Sequence, residues 1–115
     1  MHIDIQARGF SLSESLLSAV EERCEDFRVA FPQLEPQIQV RLFDVNGGDR
    51  GGIDKGCLLH AKLGIGRRSV VVSDVDNDLY RAIGAAFVRL DRATRTQLRR
   101  RYRIRRSPLN PAMET

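Results

Sequence analysis

The chain has 115 residues, 42% hydrophobic and 30% charged, with a formal net charge of +4, two cysteines and no tryptophan. That length fits one domain, the apolar fraction excludes a disordered chain, and two cysteines cannot make the disulfide framework of a small secreted protein. The uncharged run Ala82–Val88 is far shorter than the ~20 apolar residues of a membrane span, and Asp4 stands where a secretory signal needs apolar length, so the chain reads as cytoplasmic.

Ile3, Ile5 and Ala7 alternate with His2, Asp4 and Gln6, the period of a half-buried strand, and Gly9 ends it. A helix is expected to open at Ser11, which has Glu14 at capping-box spacing, or at Ser13 through its own hydroxyl. Leu16, Val20, Cys24, Phe27 and Phe31 then form one apolar stripe, with Glu21, Glu22, Glu25 and Asp26 off it. Pro32 and Pro36 place the helix end near Ala30.

Ile38, Val40 and Leu42 alternate with Gln39 and Arg41 in a second strand. Four glycines between Asn46 and Gly52 make a loop. Further strands are expected at Cys57–Leu63 and Arg67–Val72, joined by a tight hairpin at Gly64-Ile65-Gly66. Ser73, Asp74 and Asp76 then offer N-cap oxygens to a long second helix. On it, Leu79, Ile83, Phe87, Leu90 and Leu98 fall within a sector of about 100°. Arg81, Arg89, Arg92, Arg95, Arg99 and Arg103 cluster on the opposite side. The order β-α-β-β-β-α gives an α+β fold: a four-stranded sheet with both helices packed on one face. One domain over 1–106 is expected, with a disordered tail over 107–115 after Ser107-Pro108. An outward sheet face would carry either Val71 or the pair Val70 and Val72.

Charge is distributed unevenly along this chain. Residues 1–80 carry 9 basic and 13 acidic side chains, whereas residues 81–115 carry 10 basic, all Arg, and 2 acidic. A guanidinium is always charged and forks onto phosphate with two hydrogen bonds, so a compact Arg-only segment points toward a polyanion, of which nucleic acid is the commonest. The candidate contacts are Arg81, Arg89, Arg92, Arg95, Arg99, Arg100 and Arg103, with Arg50 and Lys55 as candidate loop contacts.

Other chemistry finds little support. Cys57 and His60 have C-x-x-H spacing, but a zinc site needs three or four ligands and only Cys24 and His2 are left to join them. Both thiols read as core residues. The segment Asp44–Asp49 lacks the later ligand positions of a calcium loop, and both Gly-rich phosphate motifs are absent. No serine lies in a nucleophile elbow and neither His is paired with an orienting acid. Asp74, Asp76 and Asp78 suit helix capping better than metal binding. No enzyme activity, metal, cofactor or small-molecule substrate is expected.

The segments Asp78-Leu79-Tyr80-Arg81-Ala82-Ile83 and Arg89-Leu90-Asp91-Arg92 resemble the D-M-Y-x-A-I … K-L-E-R signature of the ribosome hibernation promoting factors. That family is also known as the ribosome-associated inhibitor A family or the sigma-54 modulation proteins. The resemblance extends over about residues 1–100 and implies the β-α-β-β-β-α fold. It further implies binding to rRNA of the small ribosomal subunit along the mRNA and tRNA path, and silencing of translation in stress. Arg89 and Arg92 match the basic residues of the signature and Tyr80 its Tyr. The chain ends before any C-terminal dimerisation domain, so it resembles the short form and is not expected to pair ribosomes through a domain of its own. Two features depart from the family pattern: the acidic first helix, and the long glycine-rich loop over 46–56. Two alternatives stay open: a protein-interaction module regulating a transcription or ribosome-associated factor through the acidic helix, and a general duplex-RNA binder.

Overall fold

The computed structural model describes residues 2–44, 55–64 and 68–106, the last six through the backbone alone. The elements are β1 (His2–Arg8), α1 (Glu14–Ala30), β2 (Gln37–Asp44), β3 (Lys55–Lys62), β4 (Ser69–Asp76) and α2 (Leu79–Arg106). The strands lie in the order β1-β2-β3-β4, which makes the fold α+β as the sequence implies. β1 pairs parallel to β2 with α1 as the crossover, and the β2–β3 and β3–β4 pairs are antiparallel. Parallel neighbours require such a crossover, whereas the antiparallel pairs follow one another as a meander.

The period-2 pattern decides which face of the sheet is covered. Ile38, Val40 and Leu42 of β2 are buried, as are Cys57, Leu59 and Ala61 of β3 and Val70 of β4. They share one core with Leu16, Val20, Cys24 and Phe27 of α1 and with Leu79, Ile83, Phe87 and Leu90 of α2. Both helices therefore cover the same face. The opposite face is open: Gln37, Gln39 and Arg41 are exposed, as are Val71 and Val75. Of the two outward arrangements open at the valines, the one with Val71 outward holds.

Ser13, not Ser11, caps α1: its hydroxyl accepts a hydrogen bond from the Leu16 amide at 3.2 Å, and the helix ends at Ala30 as the prolines require. Two glycines sit where no side chain fits. A Cβ on Gly56 would lie 2.2 Å from the Phe43 ring that packs over it, and one on Gly64 would lie 2.4 Å from the Leu34 carbonyl oxygen. The Gly64 amide donates to that same oxygen at 3.1 Å, pinning the end of β3 to the turn before β2.

The bounds of β3 and β4 differ from the sequence reading. β4 is not over by Val72 but runs on to Asp76, so Ser73, Asp74 and Asp76 are strand residues and not the cap of α2. The register explains it: Asp74 lies opposite Cys57 and Asp76 opposite Lys55, so the β3 strand, which itself begins two residues earlier than expected, offers partners to the whole run. The cap falls to Asp78, whose carboxylate accepts from the Tyr80 amide at 3.0 Å and whose carbonyl accepts from the Ala82 amide at 3.0 Å. The glycine loop, the Gly64-Ile65-Gly66 hairpin beyond Gly64, and the tail over 107–115 lie outside the described residues.

Candidate nucleic-acid interface

The inner side of α2 fixes where its arginines go. With Leu79, Ala82, Ile83, Ala86, Phe87, Leu90 and Thr94 buried, the helix can roll neither way without exposing apolar surface. Arg81, Arg89, Arg92, Arg95, Arg99 and Arg100 are all exposed as a result. Arg103 lies further along the same helix, with its side chain outside the described residues, as Arg50 is altogether.

The exposed arginines divide by their partners. Arg81 lies 3.9 Å from the Asp78 carboxylate, Arg89 3.8 Å from Asp74, and Arg95 3.1 Å from Asp91. Arg95 also lies over the Phe31 ring, 5.2 Å from its centroid. Arg92, Arg99 and Arg100 have no ion-pair partner among the described residues. Exposed pairs of this kind contribute about 0–1 kcal/mol each, so none is a strong lock, but among the described residues three guanidinium groups have no carboxylate to compete with a phosphate. Lys55, expected in the loop, is instead the first residue of β3 and lies 3.9 Å from the Asp44 carboxylate.

Two hollows flank α2. On the β4 side, Ser73, Arg89, Arg92, Thr96, Gln97 and Arg100 are among the residues around a volume of about 580 Å³. The Arg68 guanidinium, which the sequence did not single out, donates to the Gln97 side-chain oxygen there at 2.7 Å. Only folding brings residues 29 positions apart together, and no local pattern in the chain announces it. On the α1 side a smaller hollow of about 210 Å³ is lined by Arg23, Asp26, Phe27, Phe87, Val88 and Asp91.

The solvent side of α1 has the opposite character. Glu14, Glu21, Glu22, Glu25 and Asp26 are all exposed. Arg28 is bound to Glu25 by two hydrogen bonds and holds that carboxyl below the usual carboxylate range. Tyr80 is about half exposed and so sits beside the arginine face, not in the core.

Metal and thiol chemistry have no footing among the described residues. No group of three His, Cys, Asp or Glu stands close enough to hold an ion. Cys57 points into the core while His60, three residues on, points to the open sheet face, so the C-x-x-H pair is split across the sheet. Burial pushes both the Cys24 and the Cys57 thiols up to about 12, and each is fully shielded from solvent. Such thiols are protonated and unreactive at neutral pH. No helix among the described residues is long and apolar enough to cross a membrane.

Residues 3–102 match the family described as sigma 54 modulation protein / S30EA ribosomal protein. Two solved structures show the same fold. The N-terminal domain of Thermus thermophilus protein Y superposes with a TM-score of 0.68 at 24% identity, covering 87% of this chain and 98% of that one. A ribosomal subunit interface protein from Coxiella burnetii superposes with a TM-score of 0.67 at 18% identity, covering 89% and 98%. Among curated protein sequences none matches significantly.

Proposed function

The chain belongs to the family of sigma-54 modulation and S30EA ribosomal proteins, a family of ribosome-associated factors and not of enzymes, and from that premise we propose that it inhibits translation by binding the small ribosomal subunit. The folded domain occupies the mRNA and tRNA path, and the arginine face of α2 contacts rRNA phosphates. The name of one structural neighbour, a ribosomal subunit interface protein, points the same way. The observation that carries the reading is the solvent side of α2, where six exposed arginines stand opposite a buried apolar stripe and three of them face no acid among the described residues. Guanidinium groups in that state bind phosphate without first breaking an ion pair. Inhibition is steric, so the protein needs no catalytic group, cofactor or metal of its own.

Co-sedimentation with separated small subunits, large subunits and whole ribosomes across a salt series tests this. Saturable binding to small subunits and whole ribosomes is expected, and six phosphate contacts would give a log–log salt slope of about −4 to −5. Replacing Arg89 and Arg92 together by Glu should abolish binding without unfolding the domain, because both side chains are solvent-exposed. Undiminished binding by that variant would remove α2 as the contact surface.

The acidic face of α1 favours a second reading, a module that docks a regulatory protein. Salt-insensitive association with no affinity for rRNA would select it. A plain RNA duplex in place of ribosomal subunits separates either reading from general duplex binding.

A further inference from the structure

The arginine helix has two flanks, and they are chemically different. We infer that the rRNA strand lies on the β4 flank, in the hollow between α2 and the open edge of the sheet, and not along the furrow between the two helices. This inference rests on the rRNA-contact reading above and adds which side of the helix the strand follows.

The furrow between the helices repels a phosphate. Asp26 reaches it from α1 and Asp91 from α2. The positive charge on that flank is outweighed: Arg95 is bound to Asp91 at 3.1 Å and lies over the Phe31 ring, and Arg23, which also lines the furrow, shares it with two carboxylates. Glu22 and Glu25 continue the negative field along α1.

The β4 hollow is built in the opposite sense. Arg89, Arg92 and Arg100 border it, and neither Arg92 nor Arg100 faces a carboxylate among the described residues. The acid nearest this flank is Asp74, which lies 3.8 Å from Arg89. Along the helix axis Arg89 and Arg100 are ~16 Å apart, enough for successive phosphates of one strand. Neutral groups fill the space between them. The Thr96 hydroxyl donates to the Arg92 carbonyl at 3.1 Å, which leaves its oxygen free to accept from a ribose hydroxyl. The Arg68–Gln97 hydrogen bond occupies the Gln97 oxygen, so the amide nitrogen keeps its two N–H groups for a phosphate. Among the described residues no aromatic ring borders the hollow, and the groups that do are suited to holding a strand by its backbone.

Two charge-reversed variants separate the flanks: Arg92→Glu with Arg100→Glu on the β4 side, and Arg23→Glu with Arg28→Glu on the α1 side. Binding to purified small subunits is measured across a salt series, with melting curves to establish folding. The β4-side pair should lose at least tenfold in affinity and flatten the log–log salt slope by about 1.5, while the α1-side pair changes affinity by less than threefold. Equal losses, or a larger loss on the α1 side, would overturn the inference and leave rRNA contact by α2 standing. No loss in either variant would take the rRNA-contact reading down as well. Cross-linking gives a readout independent of charge reversal. A thiol-directed photocross-linker on Ser73→Cys should attach to rRNA and one on Val88→Cys should not, with the buried Cys24 and Cys57 remaining unlabelled. A cross-link from position 73 to a ribosomal protein instead of rRNA would overturn the strand as the occupant.

Discussion

α1 and α2 lie side by side on one face of the same sheet and bury apolar stripes in a single core, yet their solvent sides carry opposite charge. Toward the core the two helices obey the same constraint: Val20 and Cys24 on one, Ile83 and Leu90 on the other, all almost fully buried. Toward water α1 shows five acids and α2 six described arginines. Packing constrains only the inner half of a helix, so the outer half is free to carry whatever field the partner requires. The difference between these neighbours is thus a statement about binding, while their likeness is a statement about folding.

The sharpest way to break the comparison is to cross from one half of a helix to the other. Leu90→Ala, on the inner side of α2, should cost about 2–5 kcal/mol in urea unfolding, whereas Arg99→Ala, on its outer side, should stay within about 0.5 kcal/mol. Comparable costs would mean that the arginine face takes part in holding the fold.

Alkaline titration tests the inner side of α1. Burial keeps the protons on Cys24 and its core neighbour Cys57 in the folded state up to about pH 12, against an ordinary thiol value of 9.0. Above pH 9 the unfolded chain binds fewer protons than the folded one, so stability falls as pH rises through the window from about 9 to 12. The slope is about 1.4 kcal/mol per pH unit for each thiol. Denaturant midpoints measured from pH 8 to 11 should show that decline, and it should be shallower in a Cys24→Ala, Cys57→Ala variant. An unchanged slope would mean that the thiols are not what titrates.

The helix starts sharpen the comparison further. Ser13→Ala and Asp78→Ala should each cost about 1 kcal/mol, and Ser11→Ala should cost almost nothing, because the Ser13 hydroxyl is the one bonded to the Leu16 amide. A larger loss at Ser11 than at Ser13 would move the start of α1. The inner sides also differ at Thr94, a fully buried residue of α2 whose hydroxyl has no hydrogen-bond partner among the described residues. Thr94→Val removes that unpaired group and should raise stability by about 1 kcal/mol, read from the shift in denaturant midpoint.

Much of this contrast was legible in the sequence, and the reason is periodicity. The stripe from Leu16 to Phe31, the alternation Ile38-Val40-Leu42 and the back-to-back faces of α2 repeat often enough to state their own structure. What escaped depends on partners distant in the chain. Asp74 and Asp76 look like capping residues, since Asp is poor in strands, yet Arg89 stands 3.8 Å from Asp74 and β3 pairs with the whole segment. Thr94 escapes notice because its side chain is polar, although it stands four residues from both Leu90 and Leu98 on the apolar stripe. The candidate arginines were legible as a cluster, but not their division into paired and unpaired, which depends on carboxylates from β4 and from the helix itself. Arg68 entered only through its contact with Gln97.

The parallel pairing of β1 with β2 has a kinetic consequence. β2, β3 and β4 join neighbour to neighbour, but β1 reaches β2 only after α1 has formed and crossed back over the sheet. Closing that longer loop loses chain entropy before the β1–β2 hydrogen bonds and side-chain contacts repay it. β1 should therefore join last in refolding. As an edge strand whose inward side chains are only partly buried, it should also be the first to exchange its amide hydrogens in the native state. The meander, with both helices packed into one core against it, should then be the slower-exchanging body of the protein.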